Sequence, residues 1–226
     1  MEIINSLFLG FIFLFSVVIH EVSHGFVADS LGDPTARING RLTLNPLKHL
    51  DPFGSVLLPG ILFLSSLISG RGIIFGWTKP VPINPSNFKD KKYGTLKVAL
   101  AGPLSNFLIA ILFGALIRFI IIYQTTFFQN LVFYFGYIVW INLMLFVFNL
   151  WPAPPFDGFH ILSRFLPLSF EKFSILLRQN FLLLSLGAIL FMMFIGIPFI
   201  CQPLFKLLTG FPIWRRKLKR SKIVSI

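Results

Sequence analysis

The stretch Leu7 to Ala28, LFLGFIFLFSVVIHEVSHGFVA, decides how the rest of the chain is read. At 1.5 Å per residue, about 20 helical residues cross the hydrocarbon core of a bilayer, so the segment is long enough to span. Its first part, to Ile19, carries no ionisable group, whereas the end holds His20, Glu21 and His24. A charged side chain near the centre of such a helix costs about 2.5–3.5 kcal/mol on insertion scales. Three ionisable groups in one apolar helix therefore point to chemistry rather than to packing.

The composition agrees with a membrane setting. Of 226 residues, 55% are hydrophobic and only 12% charged, which leaves too little polar surface to cover a water-soluble domain of this length. The net charge of +12 would suggest nucleic acid in a soluble chain. Here the lysines and arginines fall between apolar runs and in Arg215 to Lys222, the distribution of membrane-protein loops, so the bilayer is the expected partner and nucleic acid is not. Cys201 is the single cysteine, which rules out a disulfide framework and a thiolate metal cluster. Met1 to Ser6 lack the basic lead of a secretory signal and no small-residue cleavage site follows, so the first helix is expected to be retained.

Asp29 to Asp51 reads as a connecting segment punctuated by Gly32, Pro34, Gly40 and Pro46. Phe53 to Trp77 is apolar but broken by Pro59-Gly60 and by Ser69 to Gly72, which predicts a re-entrant hairpin or short paired helices. Thr78 to Thr95 carries Pro80, Pro82 and Pro85, alternating Val81 and Ile83, then four charges at 89–92. This predicts an extended, basic, interfacial loop with a strand edge able to receive substrate. Leu96 to Tyr123 and Leu131 to Leu150 read as further spans, joined by an uncharged external loop. Trp151 to Gly158, WPAPPFDG, cannot be helix interior because of its three prolines. Ile161 to Gln179 has the mixed pattern of an interfacial helix, and Phe181 to Leu208 spans once more with an expected break at Gly196 to Pro198. The expected fold is an all-α polytopic membrane protein of four to six transmembrane or re-entrant helices with short extended interfacial segments. It is read as a single domain over 1–226, with a catalytic core at about 7–160, then an interfacial helix, a final hydrophobic segment and a basic tail.

His20-Glu21-Val22-Ser23-His24 has the spacing H-E-x-x-H. On a helix, positions i and i+4 project from one face, so two imidazoles can reach one metal ion. Glu21, about 100° around the helix from His20, can reach a hydrolytic water without being a ligand. One zinc ion with an open position is the cofactor such a helix suits, and it needs a third protein ligand from elsewhere. Asp29, Asp33, Asp51 and Asp90 lie in connecting segments or close to helix ends. Asp157, in a Pro-Pro-Phe-Asp-Gly turn, is a candidate ligand or a turn-capping aspartate. His160 is its rival and His49 a weaker one.

Three anchors in order carry a resemblance: HEVSH at 20–24, AGPLSN at 101–106, and Asn149 to Gly158, NLWPAPPFDG, with FGWTKPVPIN at 75–84 between them. The chain resembles the site-2 protease family of intramembrane zinc metalloproteases, in its short bacterial type without an inserted PDZ domain. The resemblance implies that Asp157 is the third zinc ligand and Glu21 the catalytic residue. It also implies that Asn149 binds substrate near the cleft, and that transmembrane segments of membrane proteins are cut. The competing reading is a transporter or channel with an intramembrane His/Glu ion site, which leaves the H-E-x-x-H order unexplained.

For the first and fourth apolar segments to bring these residues together, their ends must share a side. Basic loops at 37–48 and 89–97 place that side in the cytoplasm of a multi-pass cell-membrane protein. One span after Asp157 then leaves Arg215 to Arg220 outside, against the positive-inside rule, unless the chain folds back at Pro198. Oligomeric state and physiological substrate are not written in the sequence.

Overall fold

The computed structural model describes residues 2–51, 79–123, 129–166, 175, 177 and 179–211. The 53–77 hairpin, most of the interfacial helix at 161–179 and the basic tail lie outside the described residues. Helix α1 (Glu2–Ser30) is followed by a short α2 (Thr35–Ile38), and a 3-10 turn sits at Pro46–Lys48. After a second 3-10 turn at Pro85–Asn87 come α3 (Gly94–Ile122) and α4 (Gln129–Asn149). A short α5 (Asp157–Ser163) precedes α6 (Phe181–Phe191), a π-helical stretch Met192–Cys201 and α7 (Gln202–Thr209). No strand occurs among the described residues.

Four stretches are long and apolar enough to cross a membrane: Leu7–Ser30, Gly94–Ile122, Leu131–Asn149 and Leu182–Thr209. They fall within a few residues of the spans expected from hydropathy. Their outward faces carry large apolar side chains such as Phe13, Leu108, Phe133 and Phe194, all exposed, as suits helices whose solvent is lipid.

α3 is the central element, packing on α1, α4, α5 and α7. Ala110, Ile117, Val139, Leu143 and Phe205 form a core where α3, α4 and α7 meet. Because lipid is as apolar as these side chains, burial gives little net drive, and close packing with polar links between helices takes its place. One such link joins Ser16, Asn106 and Asn142, all buried, from α1, α3 and α4.

The last span does not break at Gly196 to Pro198. The chain widens into π-helical hydrogen bonding over Met192–Cys201 and continues as α7. Pro198 has no N–H, and in an α-helix its ring meets the carbonyl four residues back; the wider π turn relieves that conflict without ending the helix. Arg118, in the last turns of α3, donates from Nε to the Leu208 carbonyl at 2.8 Å and from Nη2 to the Leu207 carbonyl. These are helix-terminal carbonyls with no intrahelical partner. The last span therefore ends beside the C-terminal end of α3, and no fold-back occurs.

The other end of the bundle is tied down by a carboxylate. Asp33, fully buried just past α1, accepts from the Asn84 N–H at 2.7 Å, the Thr35 N–H at 3.2 Å and the Asn87 amide at 2.8 Å. Burial pushes its carboxyl up, but the hydrogen bonds from Thr35, Asn84 and Asn87 win and hold it below its ordinary value. Ala28, Phe88 and Val98 pack together beside it, with Ile83 against them, so the 79–88 loop lies on α1 and α3.

Candidate metal centre

His20 and His24 stand one turn apart on α1, both buried. Each has its Nδ1 engaged by the protein. His20 Nδ1 is 2.7 Å from Asn106 Oδ1, and His24 Nδ1 is 2.7 Å from the Val98 carbonyl. A carbonyl oxygen only accepts, so His24 carries its proton on Nδ1. Asn106 is oriented in the same way: its amide nitrogen faces the Ser16 carbonyl at 3.2 Å and Asn142 Oδ1 at 2.9 Å, which leaves Oδ1 for His20. In its neutral form each ring then has a bare Nε2.

Those two Nε2 atoms lie 3.1 Å apart, and Asp157 Oδ2 lies 3.1 Å from His20 Nε2 and 3.3 Å from His24 Nε2. Asp157 Oδ2 is buried and accepts no hydrogen bond. Three lone-pair-bearing atoms at such separations repel unless a cation or a proton sits among them. A tetrahedral zinc with ligands at about 2.0–2.1 Å has ligand-to-ligand edges of about 3.3–3.4 Å, close to the observed triangle. Among the described residues, His20, His24 and Asp157 form the one group of this kind.

Gly102 leaves the space that an ion needs. A Cβ at this position would stand 2.3 Å from His24 Nε2 and 2.5 Å from His20 Nε2, close to bonding reach of both nitrogens. The donor set, the triangle and this open cradle all fit a small divalent cation. Pro103 follows, so the Ala99 carbonyl loses its usual α-helical N–H partner beside the site.

Asp157 reaches the histidines as the first residue of α5, not from a turn, which corrects the turn reading. The element is set down hard against the end of α4: a Cβ on Gly158 would meet the Leu150 carbonyl oxygen at 2.3 Å and the Trp151 carbonyl oxygen at 2.5 Å. Only glycine allows this approach, and the approach places Asp157.

Glu21 lies outside the group formed by His20, His24 and Asp157. Its Oε2 accepts from the Val81 N–H at 2.9 Å. Val81 is buried, and the Asn84 N–H is taken by Asp33. The expected strand edge at Val81 is therefore closed onto α1, because carboxylates on and just after α1 hold the loop's amides. Asn149 ends α4 with its amide donating to the Leu145 carbonyl at 2.9 Å. His49 is buried with Nε2 at 2.8 Å from the Thr43 carbonyl; neither it nor His160 belongs to the group. Sequence reasoning passed over Gly102, Val98 and Asn142. The only trace of Asn142 was a polar residue inside an apolar span.

Comparisons with known proteins converge on one family. The profile of peptidase family M50 matches residues 114–194, which include Asn149 and Asp157. YwhC of Bacillus subtilis strain 168, named as a presumed zinc metalloprotease, is 39% identical over 156 residues, covering 67% of this chain and 66% of the relative. Rip2 of Mycolicibacterium smegmatis, named in the same way, is 29% identical over 151 residues, covering 66% of this chain and 54% of that protein. Rip2 of Mycobacterium tuberculosis strain H37Rv is 30% identical over 158 residues, with the same coverages. The match thus spans about two thirds of the first relative and about half of the other two. No solved structure matches the chain. An H-E-x-x-H helix meeting a distant aspartate inside a bundle of membrane-spanning helices, together with these likenesses, establishes that the chain belongs to peptidase family M50.

Proposed function

We propose that the protein is a zinc-dependent endopeptidase that cuts transmembrane segments of membrane proteins. His20, His24 and Asp157 hold one zinc ion, and Glu21 acts as general base and acid. The observation that carries the reading is the triangle of two histidine Nε2 atoms and one buried carboxylate oxygen, with edges of 3.1, 3.1 and 3.3 Å. Bound zinc supplies charge that polarises a carbonyl and makes water acidic. Glu21 takes the proton from the attacking water as oxygen bonds to the peptide carbon, and gives it to the amide nitrogen as the C–N bond breaks. Its Oε2 is held by Val81, which fixes the carboxylate and leaves Oε1 for this exchange. Asn149, at the mouth of the 151–156 turn, serves as a substrate-binding donor once its amide leaves the Leu145 carbonyl.

A transmembrane substrate hides its carbonyls in helical hydrogen bonds and must unwind to be cut. The closed 79–88 loop implies that substrate displaces it rather than adding to a free edge. The site faces the cytoplasm in this reading. Arg37, Arg41, Lys48, Lys79, Lys89, Lys91, Lys92, Lys97 and Arg164 flank the site's end of the bundle, against Arg118 and Lys206 at the other among the described residues. The ion-path alternative is not favoured, because the ligand atoms converge on one point instead of forming a file across the bilayer.

The test is cleavage of a membrane-spanning peptide by purified protein and by Glu21→Gln. Cleavage should fall by at least about a hundredfold in the variant, within the usual range for an acid–base group. Undiminished cleavage by Glu21→Gln would overturn the mechanism.

A further inference from the structure

The metal reading leaves one buried polar chain unexplained. Asn106 Oδ1 faces His20 Nδ1 at 2.7 Å, and Asn106 Nδ2 donates to Asn142 Oδ1 at 2.9 Å and to the Ser16 carbonyl at 3.2 Å. Asn142 Nδ2 in turn donates to Ser16 Oγ at 2.9 Å and to the Ile138 carbonyl at 2.9 Å. Asn106 and Asn142 are fully buried, in a bundle where each such amide carries a cost unless paired.

We propose that Asn106, held in one orientation by Asn142 and the Ser16 carbonyl, is a positioning residue that fixes which ring nitrogen of His20 carries the proton; this rests on His20 being a metal ligand. The amide of Asn106 has two faces of nearly equal shape, and only one suits the metal. With oxygen toward His20, Nδ1 must carry a proton and Nε2 is free to bind an ion. With nitrogen toward His20, the preferred tautomer reverses, and a protonated Nε2 cannot bind. Asn142 and the Ser16 carbonyl decide between the two, because both accept from the Asn106 nitrogen, and Asn142 makes the shorter contact while its own nitrogen is committed to Ser16 Oγ and the Ile138 carbonyl. Asn142 thereby acts on the metal without touching His20, Glu21 or Asp157. His24 needs no such device, since the Val98 carbonyl has only an accepting face.

The experiment uses the full chain in lipid nanodiscs, with zinc alone as the probe and no substrate. Zinc affinity is measured by competition with a chelator. The nitrogen-15 spectrum of histidine-labelled, metal-free protein reports whether His20 Nδ1 carries a proton, its signal assigned by loss in His20→Ala. Asn142→Leu should weaken zinc about 10–100-fold, as expected for outer-shell partners, and produce an unprotonated Nδ1 signal at His20. Asn142→Asp, which keeps an oxygen facing Asn106, should restore both readouts. If Asn142→Leu does not fold, Asn106→Leu carries the same expectation, since it removes the oxygen that accepts from His20 Nδ1.

Wild-type zinc affinity together with a protonated Nδ1 in the folded variant overturns the proposal. So does equal loss of zinc in Asn142→Leu and Asn142→Asp, which would mark a merely structural role. A wild-type protein that binds no zinc would defeat the protease reading, while the Nδ1 signal of the metal-free protein still decides the role of the asparagines.

Discussion

His20 and His24 each give Nδ1 to a protein acceptor and turn Nε2 toward Asp157, the division of roles that the proposed metal site requires. Gly102 is the matching feature on the opposite helix. Replacing it by alanine puts a methyl group within 2.3 and 2.5 Å of the two Nε2 atoms, where an ion would bind. Gly102→Ala should lose most of its zinc while still inserting and folding, as metal analysis beside a thermal unfolding curve would show; a full zinc complement would contradict the cradle. His20, Glu21 and His24 were legible because their spacing matches the helical period. The partner at Asp157 needed family resemblance, since periodicity says nothing about which distant residue meets a helix face. Asn142 was legible only as an oddity, because its role depends on the registers of three helices at once.

At the scale of elements, two short pieces do the placing. α5 sets Asp157 by riding directly on the Leu150 and Trp151 carbonyls, so Gly158→Ala must push α5 away and should reduce zinc content even though the substituted residue holds no metal. The 79–88 loop is fixed by Asp33. Asp33→Asn weakens hydrogen bonds to a charged acceptor and should cost about 1.5–3 kcal/mol near neutral pH. The sign of the pH dependence follows from the lowered carboxyl. An unfolded aspartate titrates near 3.9, so the stabilisation by Asp33 is fully present above that value and is lost as pH falls through the lower folded value. The stability gap between wild type and Asp33→Asn should thus hold from neutral pH to about 4 and shrink below it. A gap that widens on acidification would contradict this. Neither piece was legible beforehand. A run of prolines announces an extended loop, but which carboxylates hold its amides follows only from where the loop lands.

For the whole molecule, the four spans could be read from hydropathy to within a few residues, since lipid imposes length and apolarity on each one separately. The path of the last span could not, because Pro198 permits either a break or a π turn and neighbouring helices decide between them. Its unbroken course puts the end of α7 beside Arg118, at the opposite end of the bundle from Asp157. Cys201 is the single native cysteine and is fully buried, so introduced cysteines can be labelled cleanly. Cysteines at Lys91 and Gly210 should react with impermeant reagents from opposite faces of the membrane, Lys91 from the cytoplasm. Labelling of both from one face would refute the topology.

The central claim is that two histidines of one helix and an aspartate of another hold a single zinc while Glu21 does not. The zinc content of the purified full-length chain tests it most directly, compared across wild type, Glu21→Gln, His20→Ala, His24→Ala and Asp157→Ala. Close to one zinc per chain is expected in wild type and Glu21→Gln, with far less in the other three. A full zinc complement in Asp157→Ala, or none in the wild-type chain, would contradict the account.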